Sequence, residues 1–332
     1  MKNIISPILL FSLLIISCDM ETVIDLDIPP HEPVLVLNSL LDTDTNVQVV
    51  ISHSVGAFSN SMPTFINDAN VLLYKNNELP GIPLLPDLSN LVYVNYIDNG
   101  NVDSLAMYYY KSNYIPEKNV NYRIEVNHSS YASISAETYI PNDITLYNID
   151  IDTTSNEEKI GFTFSFDDNT NQQNYYRLKL FSSCKKEWEN EDGDIEEWNF
   201  RGDTRFMSNE PSFPSEIPFE GYTFQGKNVI FTDALFNGQQ KTITLDIFSG
   251  KIVEYETDDG TNFVDYADCD TIIIQFSNFS DDTYIYYSSL GDHSEKGELS
   301  IFGGEVIPVY SNVENGLGVL ISTNAQQIYL KP

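Results

Sequence analysis

Apolar and polar residues alternate in short runs through most of this chain, and a two-residue period of that kind predicts β-strands. Ile160, Phe162, Phe164 and Phe166 alternate with Gly161, Thr163 and Ser165, which places four large apolar groups on one sheet face. Tyr176, Leu178 and Leu180 make a second such face, with Arg177 and Lys179 directed outward. Ile243, Leu245 and Ile247 make a third, and Ile272, Ile274 and Phe276 a fourth. Earlier in the chain, Val34–Leu37, Val47–Ile51, Val71–Tyr74, Leu91–Val94, Leu105–Tyr110, Tyr122–Val126 and Tyr131–Ala136 read as strands. Turn formers such as Asp42–Asn46 and Asn76-Asn77 separate them. About seven short strands with turn signals roughly every 8–15 residues is the pattern of a β-sandwich.

Pro141-Asn142-Asp143 interrupts the pattern, which then restarts. The expectation is an all-β protein of two tandem β-sandwich domains, immunoglobulin- or fibronectin-III-like, at 34–140 and 141–332. Two features interrupt the second. Residues 185–227 read as a long insertion rich in acids, aromatics and proline, either functional or loosely ordered. Ser280-Asp281-Asp282 then opens one short helix: Ser280 can cap it, and the two acids suit its N-terminal dipole. Tyr284, Tyr287 and Leu290 share one face of that helix, and Gly291 is expected to end it.

Composition supports a folded chain and narrows its partners. Of 332 residues, 42% are hydrophobic and 13% aromatic, with 21 Tyr and 19 Phe, ample for packed cores. The formal net charge is −32, a field that repels phosphate backbones, so nucleic acid is excluded as a partner. Anionic membrane surfaces are disfavoured too, and the acidity is best read as keeping an exposed protein soluble.

One apolar run changes the picture of location. Met1-Lys2-Asn3 precedes an apolar stretch, Ile4 to Ile16, broken only by Ser6, Pro7 and Ser12. It ends in Ile15-Ile16-Ser17-Cys18, which reads as a lipobox. The stretch is shorter than the ~20 residues a helix needs to cross a bilayer, and its length suits a signal peptide. Residues 1–17 are therefore expected to be removed, Cys18 to carry fatty-acyl chains such as palmitate, and 18–33 to form an acidic tether or edge strand. Several acyl chains hold a protein firmly on a membrane where one holds it marginally. Nothing in the rest of the sequence offers a second apolar run long enough to span.

Little else in the sequence carries chemistry. With Cys18 lipidated, Cys184 and Cys269 remain, and in an exported protein a disulfide between them is the simplest arithmetic, with two separate buried thiols as the alternative. Zinc is unsupported, because no Cys-x-x-Cys exists and His31, His53, His128 and His293 are scattered. Asn190, Asp192, Asp194 and Glu196 alternate like calcium ligands, but Gly193 is misplaced for an EF-hand and no correctly spaced terminal Glu follows. No metal and no cofactor beyond the lipid is expected. Trp188 and Trp198 both sit among charges. Exposed, they suit a sugar ring or a protein partner; paired with each other, they hold the insertion as a hairpin. Neither Gly-x-Ser-x-Gly, His-Glu-x-x-His nor a phosphate loop occurs, which favours a non-enzymatic role.

The stretch Glu305 to Leu320 contains Tyr310-Ser311-Asn312-Val313-Glu314-Asn315-Gly316-Leu317-Gly318-Val319. It resembles the closing signature of a Bacteroidota lipoprotein family catalogued as domain of unknown function 4249, with Leu320 where an aromatic is common. The segment Phe231-Thr232-Asp233-Ala234-Leu235-Phe236-Asn237-Gly238 and the acids after Cys18 match the same family. The resemblance implies an outer-membrane lipoprotein on the periplasmic or cell-surface face, often encoded beside a TonB-dependent transporter, with no established activity. It implies an accessory role to such a transporter; a glycan- or protein-binding adhesin and a structural envelope component are the rival expectations. Physically, Asn315-Gly316 suits a tight turn and Gly318 a close backbone approach, so the signature reads as architecture.

Overall fold

The chain is all-β because its apolar side chains alternate, and the computed structural model shows where each alternating run lands. It describes residues 31–331 apart from 57–61, 99–100, 157–158, 171, 191–192, 215–222, 249–251, 257–261, 267 and 297–307. The apolar leader, Cys18 and nearly all of the 18–33 tether lie outside the described residues, as does part of the 185–227 stretch.

The first half contains β1 (Leu35–Asp42), β2 (Gln48–His53), β3 (Asn70–Lys75), β4 (Ile82–Pro86), β5 (Val92–Asp98), β6 (Asn101–Met107), β7 (Tyr110–Lys111), β8 (Val120–His128) and β9 (Tyr131–Ile140). The second begins with β10 (Tyr147–Asn156), β11 (Lys159–Asp167), β12 (Tyr175–Glu189), β13 (Ile195–Asp203), β14 (Phe206–Ser208), β15 (Phe224–Gly226) and β16 (Asn228–Thr232). It continues with β17 (Gln240–Phe248), β18 (Ile252–Glu256), β19 (Asn262–Tyr266), β20 (Asp268–Phe279), helix α1 (Asp281–Lys296), β21 (Val313–Glu314) and β22 (Leu317–Leu330). One large sheet runs β19-β18-β13-β12-β20-β22-β1-β2-β7-β4-β3-β8-β9-β21, with β16 also on β12. A five-stranded sheet runs β10-β11-β17-β14-β15, and β5 and β6 form a two-stranded sheet.

Two hydrophobic cores result. In the second, Phe162 and Phe164 of β11 stand opposite Leu245 and Ile243 of β17. This face packs on Leu178, Leu180, Ile274 and Phe276 of the large sheet, giving a sandwich-like pair of layers. The first core is built from Leu35, Leu37, Val49, Ile51, Ile124 and Ile134 among others. Strand β9, far from β1 in the sheet order, nevertheless touches both β1 and β22, so the sheet folds back and encloses this core.

The halves are not independent in space. Residues 33–332 cluster as one unit. Strand β22 pairs with β1 in parallel from Leu317 to Thr323, and with β20 antiparallel from Thr323 to Leu330. Its Leu320 enters the first core and its Leu330 the second. The division at residue 141 thus separates the halves along the chain, but the first half is completed by residues from 313 onward. The Asn315 backbone turns at positive φ, as does Gly318 (φ +97°), where an added Cβ would sit 2.1 Å from the Leu37 carbonyl oxygen. Only glycine lets β22 lie against β1 here.

Two local expectations change. The helix does not stop at Gly291 but runs to Lys296, and a Cβ at Gly291 would meet nothing within 4 Å. That glycine serves no left-handed cap. The 185–227 stretch is in its first part no excursion: β12 continues to Glu189 and returns as β13, extending the main sheet.

Candidate functional site

Where the two cores meet, side-chain amides take over from apolar contacts. Asn278 on β20 and Asn324 on β22 are direct cross-strand partners. Asn324 donates its Nδ2 to the Pro141 carbonyl (3.0 Å) and to Asp143 Oδ1 (3.1 Å). Asn278 donates to the Asn142 carbonyl (3.4 Å), and Gln326 donates to the Ile144 carbonyl. Three amides therefore hold the 141–144 connector against the sheet, leaving the Asn142 side chain exposed. Lys118 forms an ion pair with Asp143 and holds that carboxyl below its ordinary value.

A buried carboxylate pair organises the opposite wall. Asp168, 8% exposed, accepts the Tyr176 hydroxyl at Oδ1 and the Gly238 N–H at Oδ2 (2.7 Å). Asp233, 1% exposed, accepts both the backbone N–H (2.9 Å) and the Nδ2 (3.2 Å) of Asn174. Burial pushes the Asp168 carboxyl above its ordinary value, and burial followed by the Asp168 bond raises the Tyr176 hydroxyl strongly. Gly238, at φ +69°, would place a Cβ 2.3 Å from the Thr170 side chain, so glycine is required for the 233–238 turn to approach this loop. The Asp233-to-Gly238 run is thereby explained as the brace of the 167–174 loop.

Between these walls lies a recess of about 360 Å³. The first half contributes Asn119 and Tyr139, and the connector contributes Asn142 and Asp143. The braced loop contributes Asn169, Gln172 and Asn174, with Asp167 and Tyr176 at its ends, and Asn278 closes it. Both carboxylates are engaged: Asp143 by Lys118, and Asp167 by the Tyr147 hydroxyl (2.5 Å). Among the described residues no Lys, Arg, His, Ser or Cys belongs to this lining, which can hydrogen-bond a ligand and shows no nucleophile with an adjacent base. A larger depression of about 400 Å³ lies along Thr242, Thr244 and Asp246 of β17. It is more open, and its buried Glu210 is already paired with Lys241 at 2.5 Å.

The residues singled out from sequence lie elsewhere. Cys184 and Cys269 are bonded to each other, bridging directly opposed positions of β12 and β20. Trp188 stands opposite Glu196, and Trp198 opposite Lys186, so the tryptophans are diagonal neighbours on the hairpin and not a facing pair. Trp198 stacks on Phe200 at 4.6 Å, while Trp188 is 42% exposed. From Tyr176 to Trp188 along β12 is about 40 Å at the usual strand rise, so hairpin and recess occupy opposite ends of one strand. Of the calcium-like positions, Asp192 lies outside the described residues; Asn190 accepts the Asp194 N–H (2.9 Å) and donates to Glu196 (3.0 Å), which fastens a turn. Among the described residues there is no group of three or more His, Cys, Asp or Glu able to hold a metal, and no helix long and apolar enough to cross a membrane.

The recess escaped sequence reading because its residues come from positions 119, 142, 172 and 278, each inside what reads locally as a turn or strand end. The Asp233-to-Gly238 run was its one visible signal. A family model described as Domain of unknown function (DUF4249) matches residues 21–328, and the chain belongs to that family. Comparison with curated proteins finds no match.

Proposed function

We propose that this member of the domain of unknown function 4249 family is a non-enzymatic, lipid-anchored binding protein of the outer membrane. In this reading Cys18 carries the lipid, the folded part stands in water, and the protein serves a neighbouring TonB-dependent transporter by holding ligand at the junction recess. The observation that favours binding over catalysis is the recess lining, in which amides and already bonded carboxylates surround a cavity without an activated nucleophile. The lipobox Ile15–Cys18 supports the anchor.

Affinity purification of the tagged full chain from native membranes tests this reading. A TonB-dependent transporter should co-purify, and radiolabelled palmitate should enter the wild type but not Cys18→Ala. An unmodified thiol at Cys18, or recovery of a lone monomer in every detergent, sinks the proposal. A second reading, a surface adhesin, draws on the half-exposed Trp188. It requires that Trp188→Ala with Trp198→Ala abolish attachment to glycans or host protein.

A further inference from the structure

Between Pro86 and Tyr110 the chain leaves the large sheet to form the β5–β6 hairpin, whose described side chains belong to neither core. From Leu88 to Met107 the sequence carries two acids and no Lys or Arg, in a chain otherwise dense in charge. Tyr93 stands opposite Ala106, and Asn95 opposite Ser104, so these four share a face with Val102. Tyr93 is 61% exposed and Val102 74%, and no charged side chain stands among the five. Asp103 takes the opposite face, where it accepts the Tyr96 hydroxyl (3.2 Å). We infer that the uncharged face of this hairpin rests in the interface of the membrane that carries the lipid of Cys18, as a second point of attachment. This rests on reading Cys18 as the anchor.

Position selects the occupant. Tyr110 pairs with Pro86 on one side and Val49 on the other, and β2 pairs antiparallel with β1 from Val50 opposite Asn38 to His53 opposite Leu35. Followed back from Tyr110, Tyr108 donates its hydroxyl to the carbonyl of Phe65, which bridges Ser52. The hairpin is therefore rooted at the end of the sheet where β1 begins, and that is where the chain arrives from Cys18. The steps from Cys18 to Pro33 span about 50 Å at full extension, so an anchored chain keeps this end within reach of the bilayer. A protein occupant fits poorly. Strand rise and spacing give one face of the hairpin about 200 Å², against about 800 Å² per partner in a specific interface. A second copy would also bring a net charge of −32 against its like. A bilayer needs less area, because the acyl chains already hold it at high effective concentration. Depth is limited as well: the strands are shorter than the 9–11 residues that cross a bilayer, and the edges of a two-stranded sheet need water or headgroups for their N–H and C=O groups. Tyr93 suits that interfacial depth.

Fluorescence quenching of the full lipidated chain in phosphatidylcholine vesicles tests the inference, with bromine carried on the lipid tails near the headgroups. Trp188→Phe with Trp198→Phe removes the native signal. Tyr93→Trp then reports on the hairpin, and Tyr329→Trp, 63% exposed, serves as the distant control. Leu317 pairs with Val36 at the hairpin's end of the sheet, and Tyr329 lies about 40 Å farther along β22. The Tyr93→Trp probe should lose about half of its emission or more, since an interfacial face sits roughly 5–10 Å deep. The Tyr329→Trp probe should lose none. Adding Val102→Asp, at a position too exposed to disturb folding, should return the hairpin probe to the level of the control. Equal emission from both probes, or quenching indifferent to Val102→Asp, overturns the inference. So does a hairpin probe that escapes bromine but is shielded from iodide only when a transporter or a second copy of the chain is present, because the occupant is then a protein. Mass spectrometry of the same samples separates the two readings. With Cys18 acylated and the probe unquenched, only the hairpin contact falls; with Cys18 unmodified and the probe quenched, the anchor falls and the contact stands; with neither, both fall.

Discussion

The two cores differ in what fills them and in where their parts come from. The first is aliphatic, with Leu, Val and Ile around Tyr110 and Tyr122. The second is dominated by rings: Phe166 contacts Phe276 at 5.0 Å and Tyr176 at 5.2 Å, and Phe164 meets Phe276 edge to face at 5.5 Å. The aromatic core draws all its members from residues 144–330. The aliphatic core draws on 35–140 and then waits for Val313 and Leu320. Closing a loop of that length costs chain entropy before any contact rewards it. The second half is therefore the self-sufficient one, aided by the Cys184–Cys269 crosslink, whereas the first borrows its last strand.

Deleting residues 313–332 should expose that dependence most severely. It removes β21 and β22, strips Leu320 from one core and Leu330 from the other, and leaves β1 and β20 with open edges. The expected outcome is loss of cooperative melting, with hydrogen exchange across β1 and β2 rising to the unprotected rate. Protection of β1 in the truncated chain would break the comparison. Phe276→Ala should act next most strongly, destabilising by about 3–5 kcal/mol through the cavity left among rings. Its effect should appear as faster exchange in β11 and β12 before β1 and β2. Equal loss in both halves, measured by exchange mass spectrometry, would show that the two cores open as one.

The same contrast explains what could be read from the chain alone. The Ile160-to-Phe166 alternation was legible because β11 has one face in the core and one towards solvent. Strand β22 was not, because Val319 through Asn324 are buried without interruption. That strand is covered on both sides: Leu320 and Ser322 share one face, the first in the aliphatic core and the second donating to the Tyr139 carbonyl, while Val319 and Ile321 on the opposite face are buried as well. Burial on both faces erases the two-residue period. The helix start was legible from Ser280, which accepts the Thr283 N–H (3.2 Å), but its end was misread because Gly291 does not require a left-handed turn. For the site, Asn142 and Asp168 sit in segments whose composition announces a turn. Their second role depends on which distant segment each turn meets, and no local pattern encodes that.

The smallest expected effect lies in the Asp168 brace behind the 167–174 loop, at the end of the second core. Asp168 uses both carboxylate oxygens as acceptors, for the Tyr176 hydroxyl and the Gly238 N–H. In Asp168→Asn one of those atoms becomes an NH₂ group that cannot accept, so one buried donor loses its partner at a cost of about 1–3 kcal/mol. The pH dependence carries a sign. Burial raises the folded-state pKa above the ordinary 3.8, so between the two values the native state binds more protons than the unfolded chain. Stability from this group therefore falls as pH rises through the window above 3.8, and the uncharged asparagine has no such slope. The difference in unfolding free energy between wild type and variant should accordingly narrow as pH rises from about 4 to 7. Exchange in β1 and β2 should stay unchanged, because the damage belongs to the second half. A gap that widens with pH would mean that the Tyr176 and Gly238 donors hold the carboxylate ionised against its burial.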